Sequence, residues 1–175
     1  MLTDENPRRR SLSPGARLQA EVLGRDRPPD NTKYVAPIVL RRNATRPAVA
    51  VARLVLDYVL DEREHIAHAI DVVEWWTRGQ ASDEGVVAAR EAIRGVARRA
   101  GGRDERCAWL AVQAVVALLD VALEPWWELA GKRARDLVGY VLEALCWPDP
   151  DDPAALAGAA ERLHEEIDRV LDERR

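Results

Sequence analysis

"CAWLAVQAVVALLDVAL", residues 107–123, is the most apolar run of a 175-residue chain, and its reading decides the fold. Its 17 residues fall short of the roughly 20 that a membrane-spanning helix needs. Gln113 and Asp120 interrupt it, and Pro125 ends it soon after. Together with Arg106 these polar positions lie seven apart, so they form one narrow wet stripe down a helix. The run therefore predicts a core helix over about residues 104–123, with other helices packed around it.

The flanking sequence supplies those helices. Val86, Ala89, Ile93, Val96 and Ala100 recur at helical spacing after Ser82, which is placed to cap, and Gly101-Gly102 closes that element. On the other side, Pro125 opens a helix that stops near Cys146 at "WPDPDDP". Asp152 and Pro153 then start a last helix, with Leu156, Leu163, Ile167 and Val170 on one side. Upstream, everything from Ala48 is helical in period. Asp61 and Glu64 are spaced as a capping box, so residues 48–78 are either one helix or two with a break near Leu60. No strand-rich region competes. The expected fold is all-α, a single-domain bundle of five to six main helices.

Charge divides the chain. Residues 1–46 hold ten Lys/Arg and five Asp/Glu, a net of +5; residues 47–175 carry a net of −9, which together give the chain's −4. The expected organisation is a basic arm over 1–46 and an acidic helical domain over 47–175. Within the arm, Ser13, Pro14 and Gly24 predict a short helix over about 13–23. "YVAPIVLRR", residues 34–42, reads as extended, with Pro37 arguing against a central strand. Such an arm either folds back on its own acidic domain or reaches a partner through Arg8, Arg9 and Arg10, its one basic run.

The six tryptophans, in a chain without phenylalanine, include two adjacent pairs. Neighbouring helical residues point about 100° apart, so both members of a pair cannot face the core centre. Measured from the face of Ile66, Ala69, Ile70 and Val73, Trp76 falls at the edge and Trp75 about 160° away. Measured from Ala130, Ala134, Val138 and Val141, Trp127 falls near the middle and Trp126 about 80° aside. Trp76 and Trp127 read as core anchors. Trp75 is either covered by the N-terminal arm or presented to a partner, where tryptophan is a favoured anchor, and Trp126 is a second candidate for a partner surface.

Chemistry finds little support. Glu62 and His65 form an ExxH string of the kind that ligates metal in helical di-iron proteins, provided the helix through residue 60 is continuous. The second string, Glu161 to His164, points its glutamate away from the core face. His65, His68 and Asp71 could also form a surface metal or pH-responsive patch. From residue 48 onward the chain has one serine, Ser82, and one threonine, Thr77, both near a turn. Cys107 and Cys146 sit in apolar runs where thiols are packing groups, without disulfide-framework spacing, which suits a reducing cytoplasm. There is no glycine-rich phosphate loop.

The segment "HAIDVVEWWTRGQASDEGVVAAREAIRGVARRAG", residues 68–101, resembles a family of small all-helical immunity proteins from bacterial toxin systems. Ala69-Ile70, Trp76 and Gly79 carry the likeness, and the alanine-rich character continues through Ala88-Ala89 and Ala108 to Ala117. It covers about residues 60–120, and Trp109–Leu119 lacks the histidines of that family's later helices. The resemblance implies a protein that binds and blocks a partner protein, with no chemistry of its own. The leading expectation is thus a non-enzymatic, cytoplasmic protein-binding module. No cofactor, membrane or nucleic-acid partner is expected, and the oligomeric state is open, a homodimer included. The alternatives are a helical metalloprotein using Glu62 and His65, and a nucleic-acid-linked regulator using Arg8 to Arg10.

Overall fold

A computed structural model describes residues 12–23, 38–59, 62–99, 106–147, 149 and 151–173. Among these there are seven α-helices and no β-strand: α1 (Pro14–Leu23), α2 (Ile38–Arg53), α3 (Arg63–Thr77), α4 (Asp83–Arg99), α5 (Arg106–Leu123), α6 (Trp127–Cys146) and α7 (Pro153–Asp172). A 3₁₀ turn, Leu54–Tyr58, follows α2 directly. The chain is an all-α, single-domain helical array.

The apolar run is the hub. α5 packs against α2, α3, α4 and α6. Leu110, Ala111, Ala114, Val115, Leu118 and Leu119 are fully buried in one core, as are Ile66, Ile70 and Trp76 of α3 and Leu137 and Val141 of α6. By length and composition α5 could cross a membrane, but more than half of it is buried against its neighbours. The wet stripe serves both of them. Arg106 pairs with Glu143 of α6 at 2.6 Å, and Asp120 pairs with Arg90 of α4 at 2.5 Å. Those two pairs, with the Cys107 thiol 3.5 Å from the Ala144 carbonyl, fix α5 antiparallel to both helices.

Local signals place the helix ends. The Ser13 and Ser82 hydroxyls accept from the amides of Ala16 and Gly85, each at 3.3 Å, and the Asp152 carboxylate accepts from Ala154 at 3.0 Å ahead of Pro153. α3 ends in a paired closure: Gln80 donates to the Trp75 carbonyl at 2.8 Å and Gly79 to that of Trp76 at 3.0 Å. Gly79 carries the φ of +78° that this closure requires.

Two expectations change. The segment expected to be extended over 34–42 is helical from Ile38 on, while 34–37 lie outside the described residues. α2 runs from Ile38 through Pro47 to Arg53, so it crosses the division expected at residue 46. Tertiary contacts override the local breaker here: Pro47 is buried, and the first turns of α2 are anchored on other helices, Arg41 donating to the Ala122 carbonyl at 2.5 Å. α1 is likewise part of the body, since Leu18 is fully buried in the common core. Its Arg17, 4% exposed, reaches Asp168 and His164 on α7. The open question near Leu60 is answered by a break. The 3₁₀ turn and an extended Val59 (φ −120°, ψ 122°) separate α2 from α3, whose N-cap is Glu62. Asp61, half of the expected capping box, lies outside the described residues.

Candidate protein interface

Trp76 behaves as the helical angle requires. Its indole is fully buried, and Nε1 donates to the Asp83 carboxylate at 2.6 Å, which ties the end of α3 to the start of α4. Above and beside the ring stand two guanidiniums from the first turns of α2, Arg41 at 5.7 Å and Arg42 at 5.5 Å from its centroid. Arg41 goes further, donating to the Ala122 carbonyl at the end of α5 at 2.5 Å. Burial pulls the Arg41 guanidinium below its usual value, against Asp83 and Glu124, which hold it up. Only Glu124 and Pro125 precede the extended Trp126 that caps α6. One end of the bundle therefore gathers the starts of α2, α4 and α6 and the ends of α3 and α5.

That end is unusually apolar outside. Eight large hydrophobic side chains are exposed among the described residues, and five of them belong to it: Ile38, Trp75, Val87, Trp126 and Leu129. Trp75 is 42% exposed, on the side of α3 away from the core, and Trp126 is 41% exposed, as an extended residue ahead of α6 to which the helical angle does not apply. Trp75 makes a T-shaped contact with His68, their ring centroids 6.0 Å apart. Trp126 is held by its own amide, which donates to the Glu124 carboxylate at 3.1 Å, and by its carbonyl, which accepts from Ala130 at 3.0 Å. The Trp127 side chain and all of Arg8, Arg9 and Arg10 lie outside the described residues.

The other candidate residues are not brought together into a reaction centre. His65 Nδ1 lies 3.0 Å from the Glu62 carboxylate, but both stand at the start of α3, after the break that a continuous metal-binding helix had to avoid. His65 is exposed, and no group of three or more His, Cys, Asp or Glu that could hold a metal occurs among the described residues. The histidine patch is divided as well: His68 faces Trp75, and Asp71 accepts from Arg53 at 2.7 Å. Burial pushes both the Cys107 and Cys146 thiols up, and Asp152 adds to the effect at Cys146. Such thiols are poor nucleophiles.

Sequence reading overlooked the arginine bracket on Trp76 and the exposed Ile38, Val87 and Leu129. Their helices are far apart in the chain, and nothing in the spacing of Arg41-Arg42 names Trp76 as its target. The one available signal was Asp83, seven residues after Trp76 across a glycine turn. No known protein family, curated protein or solved structure matches this chain.

Proposed function

We propose that this chain is a non-enzymatic binding module for another protein, engaged through the end that carries Trp75 and Trp126. The observation that carries the reading is the convergence there of five exposed large apolar side chains, two of them tryptophans. Exposed apolar patches rimmed by polar groups are where protein partners dock, and tryptophan is enriched among the residues that dominate binding energy. The body's net charge of −9 over residues 47–175 would speed encounter with a basic partner. Blocking a toxin-like partner, as the sequence resemblance implies, is the finer form of this reading.

The test is a paired-variant affinity measurement. The full chain captures its partner from its native host, and the captured protein is identified and titrated against Trp75→Ala, Trp126→Ala and Trp147→Ala. Anchors of this kind typically cost about 2 kcal/mol or more on truncation, so each of the first two should weaken binding about 30-fold or more. Trp147, at the opposite end of α6, is equally exposed and should be neutral. Unchanged affinity in a folded Trp75→Ala, Trp126→Ala double variant would sink the proposal.

A further inference from the structure

We propose a second site, which borders the apolar end at the last turn of α3 but shares none of its exposed apolar side chains: a cleft between α2, α3 and α7 that binds a small phosphomonoester. The cleft has a volume of about 290 Å³, at the small end of ligand pockets. Four arginines line it, Arg46, Arg53, Arg78 and Arg169, against two carboxylates, Glu74 and Glu173.

Three of the four arginines are already oriented. Glu74 accepts from both Arg53 and Arg78, and Asp71 holds Arg53 from outside the cleft at 2.7 Å. Burial works against the Arg53 charge, yet the hydrogen bonds from Glu74 and Asp71 outweigh it and raise its affinity for the proton. Arg169 is held by Glu166 at 2.9 Å and Glu173 at 2.8 Å. Arg46 differs. It makes no hydrogen bond or ion pair among the described residues, although it is only partly exposed. A half-buried, unneutralised guanidinium facing three pinned ones is suited to an anion that can accept from several forks at once.

Phosphate fits that demand better than carboxylate. Its three terminal oxygens accept bidentately from Arg46 while a second arginine contacts the remaining oxygen, an arrangement that the two coplanar oxygens of a carboxylate do not offer. The cleft is not purely polar. Val49, Ala50 and Val170 form its apolar wall, which accommodates a carbon body attached to the phosphate. The residues come from three helices and need no glycine-rich loop, so the site uses side chains where nucleotide-binding loops use backbone amides.

Phenyl phosphate is the probe, titrated into the full chain by calorimetry and by two-dimensional NMR, with benzyl alcohol and benzoate as matched comparisons at constant ionic strength. The expected result is saturable phenyl phosphate binding, at least tenfold tighter than benzoate, with benzyl alcohol weaker still. Arg46→Gln should lower that affinity about tenfold or more without unfolding the protein, because Arg46 supports no other residue. Arg133→Gln, on the exposed face of α6 with only a 3.9 Å contact to Asp136, should leave it unchanged. Absence of saturable binding at millimolar phenyl phosphate overturns the proposal, as does equal affinity for benzoate or an Arg46→Gln variant that binds as well as wild type. Should Arg46→Gln not fold, the wild-type preference for phenyl phosphate and the location of its NMR shifts on α2, α3 and α7 decide the matter.

Discussion

Replacing Trp76 by phenylalanine separates the two halves of the "WW" pair most sharply. The shorter ring loses the Nε1 bond to Asp83, a hydrogen bond to a charged group, worth roughly 1.5–3 kcal/mol. It also leaves a void of roughly 40 Å³ at a fully buried site, which at about 24 cal/mol per Å³ adds roughly 1 kcal/mol. Phenylalanine is in addition a weaker partner for the Arg41 and Arg42 guanidiniums, by about 0.5 kcal/mol. The total is about 3–4.5 kcal/mol. At about 2–4 °C per kcal/mol for a domain of this size, Tm should fall by roughly 10 °C. Trp75→Phe removes only part of a half-solvated ring, so it should cost less than about 1 kcal/mol. Urea unfolding followed by circular dichroism at 222 nm measures both, and Asp83→Ala made alone and in the Trp76→Phe background isolates the hydrogen bond as a coupling energy of about 1 kcal/mol or more. Equal losses for Trp75→Phe and Trp76→Phe would refute the assignment of one ring to the core and the other to the surface.

Three further outcomes follow from the same physical reasoning. His164 is held below its ordinary value first by burial and then by the Arg17 guanidinium, 3.1 Å from Nδ1, with Asp168 opposing, so the unfolded chain binds its proton more readily. Stability should therefore be full above the ordinary histidine range near pH 6.5 and fall as the pH drops below it, a decline that His164→Gln should flatten in urea titrations at stepped pH. Gly79→Ala should cost about 1–2 kcal/mol, because the φ of +78° strains any L side chain and the new methyl would also press on Arg42 Nη1 at 3.3 Å. A thermal midpoint equal to wild type would contradict the strain argument. Finally, Cys146 is buried and both thiols have raised pKa values, so a thiol-reactive disulfide reagent at pH 7.5 should label them far more slowly in the native protein than in urea.

How far the residues speak for themselves varies along the chain. The cap at Ser82, the Asp152-Pro153 start, the glycine closure at Gly79 and the burial of residues 107–123 are local or periodic properties, and each is legible because its cause lies within a turn or two. The exposure of Trp75 was legible for the same reason: a 100° step per residue leaves no room for both indoles in one core. Ile38–Arg42 was misread because Pro37 and Pro47 are strong local signals, whereas the forces that make that segment helical come from Trp76 on α3 and Ala122 on α5.

The candidate sites divide along the same line. Trp75 was marked as off-face by its own helix, but that it stands at one end with Ile38, Val87, the extended Trp126 and Leu129 depends on how five helix termini are arranged. The arginine cleft had no sequence signature. Arg46, Arg53, Arg78 and Arg169 span more than a hundred residues and become neighbours only because α3 and α7 both pack against α2.

The sequence by itself determined an all-α chain, because apolar periodicity and helix caps act over a few residues and nothing competes with them. Which side chains meet between helices was decided by the tertiary structure alone. Arg41 and Arg42 on the Trp76 ring, Arg17 beside His164, and four guanidiniums around one cleft are long-range pairings. Their physical origin is the burial of all seven amphipathic faces on α5 and its neighbours at once, a constraint that no short window of residues contains.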